Sequence, residues 1–207
     1  MQKSVLIALS GALILSSTVQ ASQTTPVQYT FFSAAIGGGK VDSDNLPGRD
    51  DVTVSDFNLQ WLVTEHYLVN FQYKGRFTHF DDENDRADYL TLSGARRFGL
   101  TDDLDLVAGI KIGGSKIKLR NSQGSTVFSE KDFLLGVFAG LNYGLTENWE
   151  LRASLEYLDY DVIYESSFEL GTDYYIFDNF SLGLYGRTTW NDDSDLTQGG
   201  LVAKFSF

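Results

Sequence analysis

Residues 149–157 read Trp-Glu-Leu-Arg-Ala-Ser-Leu-Glu-Tyr. Trp149, Leu151, Ala153, Leu155 and Tyr157 form one alternating set, and Glu150, Arg152, Ser154 and Glu156 form the other. Period two places the sets on opposite faces of a β-strand, whereas a helix would mix them. The apolar set opens and closes on an aromatic ring. Its length is that of a tilted strand crossing a bilayer, about 9–11 residues.

The same alternation recurs along the chain. Phe57, Leu59, Trp61 and Val63 oppose Asp56, Asn58 and Gln60. Tyr67, Val69, Phe71, Tyr73 and Phe77 oppose Asn70, Gln72, Lys74 and Arg76. Leu104, Leu106, Ala108, Ile110 and Ile112 oppose Asp105 and Lys111. In the first strand, VQYTFFSAAI, either Tyr29 and Phe31 or Phe32 and Ile36 can be the apolar face. Four stretches repeat strand, tight polar turn, strand: LVTEHYLVNFQY, FGLTDDLDLVAGIK, YGLTENWELRASLEY and YIFDNFSLGLYG. Between them lie five longer polar segments: GGGKVDSDNLPGRDD, HFDDENDRAD, RNSQGSTVFSEK, DYDVIYESS and NDDSDLTQ. Short and long connections therefore alternate, and nine connections predict ten strands.

The amino-terminal MQKSVLIALSGALILSSTVQAS has a basic start at Lys3, an apolar run and small residues at Val19 and Ala21. It is expected to be a cleaved signal peptide over residues 1–21, leaving 22–207 as one barrel domain; the run is too short for a spanning helix. Cleavage would remove Lys3 and move the net charge from −12 to −13. So acidic a chain argues against nucleic acid as a partner. With no cysteine it has neither disulfides nor thiol chemistry, and 20 Gly, 15 Phe and 11 Tyr suit strands and turns.

Alternation alone leaves open which face is outside. A secreted lipocalin-like binder would hide the apolar face around a ligand; a membrane barrel would turn it to lipid. Aromatic residues gather at both ends of the apolar faces. Trp61, Tyr67, Phe98, Tyr143, Trp149 and Phe180 lie near the short turns, and Phe57, Phe77, Phe133, Tyr157, Phe168 and Trp190 near the long segments. Two such rings are the girdles of a transmembrane, antiparallel, up-and-down barrel. Leu106→Arg, taken as a midplane change, is then expected to block insertion, while Asp105→Asn on the other face should fold far more readily. Arg49 and Arg86 are expected to be open to trypsin in loops, with Arg97 and Arg152 protected in the wall.

The chain closes on LVAKFSF, where Leu201, Ala203, Phe205 and Phe207 share the apolar face. This closing alternation with a terminal phenylalanine resembles the small Gram-negative outer-membrane β-barrel proteins of the OmpA, OmpX and opacity-porin kind. The resemblance implies Sec-dependent export to the bacterial outer membrane, a monomer surrounded by lipid and lipopolysaccharide, and a terminal signal read by the barrel-assembly machinery. Its smallest members have eight strands, which stands as the alternative to ten.

The other face points into the barrel. It carries Lys74, Arg76, Arg97, Lys111, Arg152, Arg187 and Lys204 against Asp56, Asp88, Asp105, Glu150, Glu156, Glu169 and Asp173. Balanced charge inside a low-dielectric wall predicts ion pairs that plug the lumen; a selective pore would favour one sign. A structural or surface-interaction role through acidic external loops is therefore expected, with a narrow porin-like channel as the alternative.

Catalysis is not expected. His66 lies in a short turn. His79 stands beside Asp81 and Asp82, but shares the lipid-facing parity of Phe77, with no serine motif; a rim hydrolase ranks below the other readings. Asp42, Asp44, Asp50 and Asp51, then Asp81, Asp82, Glu83 and Asp85, then Asp192, Asp193 and Asp195 read as a solvated acidic surface. No calcium-loop spacing is present, and GGGKV lacks the Ser or Thr of a phosphate loop, so neither metal nor cofactor is expected.

Overall fold

The computed structural model describes residues 27–43, 51–80, 83–120, 125–160, 164–192 and 194–207, with only the backbone described at 43, 80, 83 and 84. The signal-peptide boundary therefore lies outside the described residues. Ten strands follow in order: β1 Phe31–Ser43, β2 Asp51–Thr64, β3 Tyr67–Phe80, β4 Glu83–Gly99, β5 Leu104–Arg120, β6 Thr126–Thr146, β7 Trp149–Tyr160, β8 Tyr164–Phe177, β9 Phe180–Trp190 and β10 Ser194–Ser206. Each pairs antiparallel with its sequence neighbour, and β1 pairs with β10, so the sheet closes into a barrel with no free edge.

The repeated threonine in the short turns has a local cause. The Thr64 hydroxyl accepts the backbone N–H groups of His66 and Tyr67 at 3.3 and 3.2 Å. Thr101 accepts Leu104 N–H at 3.1 Å, and Thr146 accepts Asn148 N–H at 3.3 Å. A hydroxyl that satisfies turn donors lets two strands reverse tightly. Register shifts at Leu62/Thr64, Gly144/Thr146 and Tyr175/Phe177 mark three of these turns.

The opposite end differs from the sequence expectation. β3 runs to Phe80 and β4 starts at Glu83, while Arg120 of β5 already pairs with Thr126 of β6. Much of each polar segment is thus strand rather than loop, because backbone pairing continues past the point where side chains stop being apolar. Arg86 consequently sits in a paired strand opposite Phe77 and Lys118, not in a loop open to trypsin. Arg49, Asp44, Asp50, Asp81, Asp82 and Asp193 lie outside the described residues. Asp85 is buried and accepts the Arg120 N–H at 2.7 Å, so it does not belong to a solvated surface.

Outward positions are apolar and exposed: Phe57, Trp61, Phe71, Leu92, Ile110, Leu141, Leu155, Leu184 and Leu201 among them. In the first strand the outward set is Phe32 and Ile36. Tyr29 is buried with Val27, Leu68 and Val107, where residues 27–29 fold beneath the barrel at its short-turn end.

Candidate functional site in the lumen

Ten strands at about 4.8 Å spacing and ~40° tilt enclose a backbone radius on the order of 10 Å. Long side chains from opposite walls can therefore meet. They do so in three layers.

Nearest the short turns, Arg97 Nε donates to Asp105 Oδ2 at 2.9 Å, and the Tyr29 hydroxyl donates to the same oxygen at 2.6 Å. Beside this pair, Lys204 Nζ lies 2.7 Å from Glu150 and 3.2 Å from Asp173, and Arg152 lies 2.9 Å from Asp173. The Tyr175 hydroxyl donates to Glu150 at 2.7 Å. Gly183 makes room here: a Cβ would stand 2.3 Å from Asp173 Oδ1.

The middle layer crosses the barrel. Glu156 of β7 pairs with Lys111 of β5 and, at 2.6 Å, with Arg187 of β9. Lys111 donates to Gln72 of β3 at 3.1 Å, and Gln72 donates to Asp56 of β2 at 2.7 Å. Arg187 also lies 3.8 Å from Glu169 of β8. Lys74 projects into this layer. Towards the far end, Arg76 pairs with Glu165 at 3.1 Å and lies over the Tyr89 ring. Tyr89, Leu134, Leu158 and Tyr160 form an apolar cluster there, and Val52, Val54 and Leu196 form another.

Asp88 departs from the sequence assignment. It shares the outward parity of Leu90 and Leu92, accepts from the Tyr73 hydroxyl at 2.6 Å and pairs with Arg86 at 2.8 Å. Its place in the inward balance is taken by Glu165, a residue the sequence put in a loop. Asp105→Asn would leave Arg97 without its carboxylate, so this inward change carries a cost of its own. Tyr29, Glu165 and Tyr175 are the lumen residues that sequence reasoning missed, whereas Gln72 was placed on the inward face with Lys74. Only Tyr175 carried a signal, the inward parity of Asp173, and its neighbour Tyr174 blurred it.

The aromatic residues assigned to two rings all point outward. Phe57 stacks on Tyr73 and Trp149 packs on Tyr174, with centroids 6.3 and 5.2 Å apart, so Tyr73 and Tyr174 extend the rings. On β10, Leu201, Ala203, Phe205 and Phe207 face out and Val202, Lys204 and Ser206 face in. Phe207 N donates to Thr30 O at 3.2 Å. His79 also faces out and shares a 2.9 Å hydrogen bond with Thr53 Oγ1.

The interior leaves cavities of about 200, 80 and 20 Å³. The largest lies between the amino-terminal segment and the middle charge layer, lined by Gln28, Tyr29, Asn142, Glu156 and Arg187 among others.

An apolar exterior over a polar, ion-paired interior is the arrangement of a membrane barrel. The profile of the outer membrane protein β-barrel domain matches residues 6–187. The chain belongs to this family. As an outer-membrane barrel it resides in the bacterial outer membrane, with the short-turn end toward the periplasm by the rule for such proteins. This outer-membrane barrel is similar in structure to the β domain of the Bordetella autotransporter BrkA, at 13% identity over 86% of this chain and 100% of that one, with TM-score 0.54. Looser similarities are to Ail, the attachment invasion locus protein of Yersinia pestis (15% identity, 87% and 99% covered, TM-score 0.44), and to the KdgM porin (11%, 85% and 99%, 0.44). At such identities the likeness concerns the fold alone. No curated protein is significantly similar in sequence.

Proposed function

We propose that this barrel does not conduct and acts through its external end, as a surface-interaction element of the envelope. The observation that carries the reading is the transverse chain Asp56–Gln72–Lys111–Glu156–Arg187–Glu169, which draws on six of the ten strands and crosses the bore at mid-height. A conducting pore needs ions to leave as readily as they enter, and charges already paired across the lumen oppose both. The external end supplies a candidate surface. β5 and β6 have 17 and 21 residues against 12 and 11 in β7 and β9, so one side of the wall projects. Val127 and Phe128 are exposed near its tip.

Planar-bilayer recording of the refolded protein tests this. The wild type is expected to show no discrete steps, whereas Lys111→Ala/Glu156→Ala/Arg187→Ala, which removes the crossing side chains together, should open them. Regular steps from the wild type would favour the channel reading.

This reading assigns no enzymatic step, metal or cofactor. Its partners are outer-membrane lipid and, during biogenesis, the barrel-assembly machinery, which reads Leu201, Ala203, Phe205 and Phe207. Deleting Phe207 removes one outward ring and leaves every lumen pair in place. The truncated chain is expected to refold in detergent yet accumulate in the periplasm of cells. Normal assembly in cells would count against terminal recognition.

A further inference from the structure

The external reaches of β4, β5 and β6 sort their charges by face. On β5, Lys116 and Lys118 share the outward parity of Ile110 and Ile112, while Ser115, Ile117 and Leu119 turn inward. On β6, Lys131 shares the outward parity of Phe133 and Leu135, while Glu130 and Asp132 turn inward. On β4, Arg86 faces out with Asp88.

The register then places like charges side by side. Lys116 is directly opposite Lys131, and Arg86 directly opposite Lys118. Directly opposed side chains on one face stand about 5 Å apart at Cβ, and like charges there destabilise the pair. On its other side Lys116 is directly opposite Asp88, the one outward acid of the patch, but that carboxylate is held by Arg86 and the Tyr73 hydroxyl, so four cations still face a single acid. Among the described residues, Lys116, Lys118 and Lys131 form no ion pair. The opposite wall is arranged the other way, with Asp42 directly opposite Asp195. Among the described residues the outward cations at this height lie on these three adjacent strands, apart from Lys40 of β1, which pairs with Asp51.

Their height specifies the ligand. From Leu104, beside the short-turn girdle, the outward side chains of β5 are Leu106, Ala108, Ile110, Ile112 and Gly114 before Lys116. Twelve residues at about 3.4 Å rise and ~40° tilt climb roughly 30 Å, just past the ~25 Å apolar band. Phe133 and Ile112 form the apolar surface immediately beneath the lysines. A ligand there meets apolar wall below and ammonium groups above.

We infer that the outward face of β4–β6, centred on Lys116, Lys118 and Lys131, binds a phosphorylated lipid of the outer leaflet. Its acyl chains lie on Ile110, Ile112, Phe133 and Leu135, and its headgroup phosphate sits between the opposed lysines. Phosphate between Lys116 and Lys131 turns a repulsive cross-strand pair into two charge-assisted contacts. A soluble anion would gain only the second half of this site. The inference goes beyond the proposed surface role and does not rest on it, because a conducting barrel could carry the same patch.

The test uses the refolded full-length chain in detergent, with native mass spectrometry counting bound lipid A. Diphosphoryl lipid A is expected to bind the wild type, and dephosphorylated lipid A of the same acyl composition to bind poorly. Lys116→Gln/Lys118→Gln/Lys131→Gln should weaken diphosphoryl lipid A binding on the order of 100-fold. Lys→Arg at the same three positions should retain it. Equal binding by wild type and the Gln variant, or equal binding of the two lipids, overturns the site. Displacement of the lipid by millimolar inorganic phosphate overturns the lipid assignment in favour of a soluble anion. Should the Gln variant fail the heat-modifiability test for a folded barrel, wild-type binding is compared at low and high salt; loss at high salt supports the site and salt independence refutes it.

Discussion

Lys204→Met is expected to destabilise the barrel by about 3–5 kcal/mol, the cost of stranding a buried charge. The Lys204 side chain is only 4% exposed, and its ammonium lies between Glu150 and Asp173 over the rings of Phe31 and Tyr175. Methionine fills nearly the same volume, so a cavity is not the cause. Without the ammonium, Arg152 is the cation left for two carboxylates, at 2.9 Å from Asp173 and 4.0 Å from Glu150, with the neutral Tyr175 hydroxyl still donating to Glu150. Adding Glu150→Gln should recover a large part of the loss, since it removes the charge that was stranded. Urea unfolding followed by tryptophan fluorescence and by the gel shift of heated against unheated samples measures both variants. A single variant within about 1 kcal/mol of wild type would mean that water carries the charges, as at a surface pair.

Ile110→Arg is expected to cost about 2–4 kcal/mol in lipid and to prevent stable insertion in cells. Ile110 is 55% exposed on the outer face, opposite Gly94 on one side and Val137 on the other. It lies midway between Leu104 near one girdle and Lys116 past the other. Leu106 is a weaker test than the sequence suggested. Its register partner Phe98 belongs to the short-turn girdle, so an arginine at Leu106 can reach the interface. The two substitutions therefore form a depth series, with Ile110→Arg costing more than Leu106→Arg in refolding titrations into lipid vesicles. Equal costs would show that the belt is not centred where the register places it.

The stretch 149–157 was enough to define a strand with unlike faces, and four copies of the turn pattern with the five longer segments around them were enough to count ten strands. Both are local properties: parity depends on the pleat, and Thr64, Thr101 and Thr146 close their turns through neighbouring N–H groups. The inward parity of residues such as Glu150, Glu156 and Lys204 was equally legible, because each lies amid long alternating runs. Where alternation faded, at Asp88 and Glu165, the sequence could not say whether a polar segment was loop or strand, and it misplaced both. That choice depends on whether the neighbouring strand extends far enough to pair.

The partners of each charge belong to the tertiary structure. Glu156 meets Lys111 and Arg187 because barrel closure and diameter bring β5, β7 and β9 within side-chain reach. No spacing along the chain encodes that distance. The burial of Tyr29 against Asp105 follows from the amino-terminal segment folding beneath the closed wall. Likewise the opposition of Lys116 to Lys131 is a matter of register between strands, which the alternation within either strand leaves undetermined. By itself the sequence determined which side chains face lipid and which face the bore over most of the wall, since that requires only a period of two. Which inward charges neutralise one another, and which outward ones are left side by side, was decided by strand register and closure, since both depend on contacts between residues far apart in the chain.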